Sequence, residues 1–372
     1  MRRTALIDLL AVALLGLASP AQAFVVDANN GPGTDFTSLT AAFASLPDGA
    51  TVTVRAGTYS ATFPFPTLVG KGVTILGEPG AQVWGIGFSG QSAGQRVVVK
   101  GLRFGSTGGL LQFGGVMLDA CGGPVLLEDC TTDTQAGLSV VQCPQVSVVR
   151  CEFLHAQWFN TNRFDHSTVV CVDTQLSGST TSAGLALTSG TTQLVRGHVE
   201  GGSLAGPYTG MFGVDMNGGL LRLLGDGVVV GGTGYTGQVA AISGSGTVRK
   251  SPAFVLGGSA IPFVPIDEGW TTGTVAPVGG VATGRLHGSA NLYGGLVLGT
   301  IVSPAALPGI AGTAWVDAWG FAAVGPLGAP LACSVTVPDL PALRGMAFGW
   351  QGVTASATAG LVMTNPAWLC VE

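Results

Sequence analysis

The chain has 372 residues, of which only 9% are charged, 61 are glycine and 7 are cysteine, and its formal charge is −5 at pH 7. An average soluble domain carries roughly 25% charged residues, so this is a chain of many turns and few ions. Its length suits one long repetitive unit plus a smaller module. The charge balance provides no basic face, which argues against nucleic acid as a partner.

Residues 1–23 read as a secretory signal. Arg2 and Arg3 precede an apolar stretch from Leu9 to Leu17, and Ala21-Gln22-Ala23 forms a small-residue cleavage site before Phe24. The apolar stretch is short for a span of about 20 residues, so no membrane span is expected after signal removal. The expected location is secreted or at the cell surface. Cysteines in an exported chain permit disulfides, whereas no CxxC spacing marks a zinc site. No cofactor and no metal is expected.

Between Asp35 and Gly49, the residues Phe36, Leu39, Ala42, Phe43 and Leu46 fall on one helical face. Pro47-Asp48-Gly49 stops that helix, and the first strand follows at Thr51 to Val54. A helix in this place would cover unpaired strand edges at the end of a stack.

A repeat then runs through the chain. Gly115 to Cys121 and Val125 to Cys130 are two short apolar-alternating runs with a corner between them, and Gly137 to Cys143 with Val146 to Phe153 repeat the pattern. The third residue of the second run marks the period: Ile75, Val99, Leu127, Val148, Val169, Leu194, Leu223 and Val248, at intervals of 24, 28, 21, 21, 25, 29 and 25 residues. Periods in the twenties point to a solenoid, in which no coil is stable without a neighbour. Cys130 and Cys151 hold the same place in consecutive coils, as do Cys121 and Cys143. Their Cα atoms should lie about 4.8 Å apart, close enough for either a bridge or a reduced ladder. Cys333 and Cys370 are a further candidate pair, in the C-terminal module.

The stretch from Asp35 to Gly49, followed by Ala50-Thr-Val-Thr-Val-Arg-Ala-Gly-Thr-Tyr59, resembles the N-terminal cap of pectin-lyase-like β-helix proteins. The coils to about residue 255 resemble theirs more loosely. The resemblance implies an all-β fold, a right-handed parallel β-helix over 24–255 with an N-terminal capping helix. It implies no single activity, because such proteins include lyases, hydrolases, esterases, tailspikes and adhesins. Pectin methylesterase catalytic motifs are absent, and no polygalacturonase Asp cluster is placed by motif.

Chemistry is therefore sought in columns down the solenoid. In the register above, Glu152, Asp173 and His198 share one outward place on three coils, and Arg150 and Arg196 point to the same face two residues earlier. Consecutive coils would bring Glu152 and Asp173 about 5 Å apart, near the spacing of a retaining glycosidase pair, and the arginines would hold a sugar carboxylate. A solvated charge ladder is the plainer reading of the same residues. The segment 153–166 is the densest mix of aromatic and polar groups in the chain. Trp158, Asn160, Asn162, Arg163, Asp165 and His166 suit a loop that stacks a sugar ring and hydrogen-bonds its hydroxyls. Asp215, Asn217 and Asp226 read as polar corners before they read as calcium ligands.

From about Ser251 the repeat dissolves. Residues 256–270, with Pro262 and Pro265, read as an extended linker. Residues 271–372 contain six short β-like runs with Gly/Pro turns and few charges, which fits a C-terminal β-sandwich like the β modules of secreted bacterial proteins. A surface so poor in charge is expected to dock on the β-helix, a partner or the cell envelope. The favoured function is an exported solenoid that binds glycan or a cell-envelope component without catalysis. The alternatives are a polysaccharide lyase or glycoside hydrolase acting from the outer face, and a purely structural surface protein.

Overall fold

The computed structural model describes residues 22–59, 65–105, 114–132, 136–154, 162–203, 210–234, 237–274, 277–356 and 360–371. The predicted signal lies almost wholly outside this set; its last residue, Ala23, opens the first strand, Ala23–Val26. The described chain is all-β with almost no helix, and its larger part is a parallel β-solenoid of about 8 turns.

Each turn has three walls. Gly85–Ser89, Gly114–Asp119 and Ala136–Val141 belong to the first wall, and Val97–Lys100, Val125–Glu128 and Val146–Val149 to the second. Arg103–Phe104, Thr131–Thr132 and Glu152–Phe153 belong to the third. From Asn162–Val172 onward one long strand supplies both the first and second walls, as in Leu185–Val195 and Val214–Leu224. All the strands that stack from turn to turn are parallel, and alternate side chains point inward.

The interior is a set of vertical stacks. Val52, Ile75, Val99, Leu127, Val148, Cys171, Leu194 and Leu223 stand one above another and are buried. The sequence marker is therefore displaced at two coils: Val169 pairs with Val146 and Thr192, and Cys171 occupies the place above Val148. Val248 likewise pairs with Leu221. A shift of two residues keeps a side chain on the same face, so both valines are still inside.

Two corners are tight. Between the second and third walls the chain bends at one residue of positive φ: Gly101, Asp129, Arg150, Asp173, Arg196 and Gly225. Outside glycine this conformation costs about 1–2 kcal/mol. Each bend makes a hydrogen bond to the next turn in return, as from Arg150 N–H to Val172 O at 2.9 Å and from Asp173 N–H to Val195 O at 3.0 Å. Between the first and second walls Gly90, Ala120, Gln142, His166, Ser189 and Gly218 play the same part. Cys121 and Cys143 follow that second set of bends, and their thiols donate to backbone carbonyls, Cys121 to Phe88 O at 3.5 Å and Cys143 to Val141 O at 3.2 Å. Cys130 and Cys151 stack after the first set, with Cys130 N–H 3.4 Å from Cys151 Sγ. All seven cysteines are free thiols. Cys333 and Cys370 are not neighbours: they lie in different sheets, opposite Gly284 and Ala347.

A short helix, Leu39–Ser45, starts where Ser38 Oγ accepts from Ala41 N–H at 3.2 Å. Its Leu39, Ala42 and Phe43 join the apolar core of the first coils. At the other end the stretch read as a linker contributes a strand. Phe263–Pro265 pairs parallel with Ile242–Lys250, and Trp270 opens the first strand of the following unit.

That unit has a three-stranded sheet (Trp270–Gly273, Val281–His287, Leu331–Thr336) and a five-stranded sheet of mixed pairing. Its own core includes Leu286, Leu296, Trp350 and Leu369. It covers the second wall of the solenoid. Val98, Leu126, Val149, Val170, Val172, Val195 and Leu224 point outward there and pack against Trp315, Ala347, Trp368 and Cys370. The second wall is thus buried on both sides, which explains why runs such as Val97-Val98-Val99 and Val169-Val170-Cys171-Val172 do not alternate. Of the docking options left open by composition, the described contacts show the solenoid itself as the partner.

Candidate functional site on the uncovered wall

With the second wall covered, the outward side chains of the first wall remain half-buried or exposed, as do those of the shorter-stranded third wall. Two outward columns run along it. One contains Met117, Ser139, Arg163, Ala186, Asp215 and Ser243; the other contains Asp119, Val141, Asp165, Thr188, Asn217 and Ser245. Short polar side chains alternate with the buried Leu138, Val140, Phe164, Leu187 and Met216, so the same strand period that builds the core also builds a polar outer face.

The centre of this wall is an ionic cluster. Arg163 Nη2 donates to Asp165 Oδ2 at 2.7 Å, and His166 Nδ1 lies 2.6 Å from Asp165 Oδ1. The Asp165 side chain is 13% exposed, whereas those of Arg163 and His166 are 57% and 61% exposed. Burial pushes the Asp165 carboxyl up, but the hydrogen bonds from His166 and Arg163 outweigh it and hold the group below its ordinary value. The result is a fixed acceptor with two donors reaching into solvent. Asp215 and Asn217, two turns further on, are exposed in the same two columns.

Three of the six expected binding residues, Arg163, Asp165 and His166, are therefore brought together. Asn162 is not on the surface. It is fully buried; its Nδ2 donates to Gly184 O at 2.9 Å and its Oδ1 accepts from Leu138 N–H at 3.2 Å. It stitches adjacent turns instead of meeting a ligand. Trp158 and Asn160 lie outside the described residues.

The five outward residues of the other expected constellation separate into two columns. Glu152 stacks on Gln175 and Gln175 on His198 in the third wall, whereas Arg150, Asp173 and Arg196 are bends. Asp173 therefore does not stand above Glu152; the two-residue displacement at Val169 puts Gln175 there. Each bend is already engaged. Arg196 pairs with Asp173, and Arg150 meets Asp129 at 2.8 Å and also pairs with Glu128. His198 lies 3.5 Å from Glu200. Along the bend the order Asp129, Arg150, Asp173, Arg196 alternates in sign, so these groups form a charge ladder that relieves its own repulsion.

Among the described residues no group of three or more His, Cys, Asp or Glu is arranged to hold a metal ion, and no helix is long and apolar enough to cross a membrane. No protein-family model, curated protein or solved structure matches this chain. Sequence reading passed over Asp119, Thr188 and Ser139. Their signal was the alternation of the first run in each coil, polar residues between inward leucines and valines.

Proposed function

We propose that this is an exported, non-catalytic β-helix protein that binds glycan or cell-envelope material along its first wall. The arrangement is read as a right-handed β-helix of the pectin-lyase-like kind, with Leu39–Ser45 as its capping helix and the C-terminal unit as a sandwich docked behind. The carrying observation is the Arg163–Asp165–His166 cluster on the wall that the C-terminal unit leaves free. Polar groups repeat there at the turn spacing of about 4.8 Å, close to the length of one pyranose unit, so successive sugars would meet successive turns. Ionised groups already held by partners lose little freedom on binding hydroxyls. The hydrolase or lyase reading required Glu152 and Asp173 side by side; Asp173 instead pairs with Arg196.

The test is retention on a glycan array and on insoluble envelope polysaccharide. Asp165→Asn and Arg163→Gln should each weaken retention about tenfold, the scale of one charge-assisted hydrogen bond, with thermal unfolding nearly unchanged. Trp158→Ala should do the same if the preceding loop contributes a stacking ring. Retention of wild type and both charge variants at equal strength would end this reading.

A further inference from the structure

A second feature lies on the opposite flank, where the early turns meet the C-terminal unit. Seven residues connect Ser89 to Val97, against five from Asp119 to Val125 and four from Val141 to Val146, and a cleft of about 650 Å³ opens beside them. Asp48, Thr74, Gln95 and Arg96 line it from the solenoid, and Ile301 and Val302 from the far wall. A volume of this size suits a small-molecule ligand.

Arg96 is the unexplained group. Its side chain is half-buried, and that burial lowers its pKa. A guanidinium has five N–H donors, yet its one described hydrogen-bond partner is the Ala347 carbonyl, 3.5 Å from Nη1, and its one other described interaction is electrostatic, with Cys370. No described carboxylate lies within ion-pairing distance of it. Asp48 shares the cleft but is engaged elsewhere: its Oδ1 accepts from Gly72 N–H at 2.6 Å and from Gln95 Nε2 at 3.1 Å. Gln95 is pinned in turn, donating to Gly70 O at 2.7 Å and accepting from Ser92 N–H at 2.8 Å. The cleft thus holds a half-buried cation on a fixed loop, with aliphatic side chains opposite.

We propose that this cleft binds the carboxylate of a small organic acid, with Arg96 as its anchor and Ile301 and Val302 against the ligand's carbon skeleton. A planar carboxylate matches the guanidinium fork in two parallel hydrogen bonds. The site is independent of the first wall. Because Arg96 also touches Ala347, an occupied cleft would add a tie between solenoid and C-terminal unit.

Thermal shift and calorimetric titration of the full chain test this, using N-acetylglycine and glucuronate as probes and their methyl esters as controls. The expected result is a saturable rise in Tm with one or both acids and none with the esters. Arg96→Gln should weaken binding about tenfold or more, as loss of a bidentate charged contact predicts. Val302→Trp, which fills the cleft but keeps Arg96, should do the same, and it decides the matter if Arg96→Gln does not fold. Asp165→Asn, on the first wall, should bind the acids normally, so failure here is distinguishable from failure of glycan retention. The proposal is overturned if neither acid binds, if the esters bind as well, or if the folded variants bind like wild type.

Discussion

The carboxylate of Glu128 in the solenoid accepts a hydrogen bond from the backbone N–H of Cys370, 242 residues further along the chain, at 2.9 Å. The same carboxylate pairs with Arg150 and lies 3.6 Å from Lys100 Nζ, which reaches the Cys370 carbonyl at 3.3 Å. Burial pushes the Glu128 carboxyl up, opposed by Lys100 and Arg150. On Arg150 burial acts downward, and Asp129 and Glu128 more than reverse it. Three donors converging on a fully buried carboxylate favour the ionised, paired form.

Removing this carboxylate takes away the one fully buried acceptor that Arg150, Lys100 and the Cys370 N–H share, and leaves the two cations to the half-buried Asp129. Glu128→Ala should therefore cost about 3–5 kcal/mol in chemical denaturation, and should speed proteolysis between the solenoid and the C-terminal unit. A loss under about 1 kcal/mol, typical of an exposed pair, would mean that the cluster does not hold the two parts together.

The bends offer a cleaner energetic test. Ala120 adopts φ 50 at an exposed position, where an L side chain is strained and glycine is not. Ala120→Gly should raise stability by about 1 kcal/mol, less the entropy glycine gains in the unfolded chain. Denaturant midpoints of the two proteins check this; a destabilised glycine variant would show that the bend is not strained.

Acid sensitivity should be concentrated near the first coil. Asp27 accepts from Asn29 N–H at 2.8 Å, from Arg55 Nη1 at 3.0 Å and from Gly31 N–H at 3.0 Å. These contacts, Asn29 foremost, hold its carboxyl below the ordinary value of 3.8. A lowered acid stabilises the folded state fully above its unfolded value and loses that contribution as pH falls through the folded one. Asp27→Asn should thus be less stable than wild type at neutral pH, and the gap in Tm should close as pH drops below 3.8. A gap independent of pH would remove Asp27 from acid unfolding.

The solenoid was legible because its inward places recur in short apolar runs, and the pairings Cys130/Cys151 and Cys121/Cys143 followed from that period. The slip at Val169 has a physical source. Asn162–Val172 passes from the first wall to the second without a break, bending only at His166, so no Gly or Pro marks the corner. A two-place error leaves inward residues inward, and it was visible only in outward residues such as Asp173. Asn162 misled for another reason: composition places an asparagine on a loop, whereas its amide is satisfied by carbonyls and an N–H inside the wall. The covering of the second wall was written in runs that fail to alternate, but which segment covers it depends on contacts more than two hundred residues apart.

The bend between the second and third walls also dictates where this rod can vary. One extra residue at Asp129, Arg150, Asp173 or Arg196 would reverse the facing of everything up to the next turn. The return from the third wall to the first has no such discipline: Trp84 alone separates Val83 from Gly85, whereas thirteen residues separate Glu200 from Val214. Foreign peptides, epitopes or entire domains are best grafted along that edge, and natural diversification of the scaffold would concentrate there too.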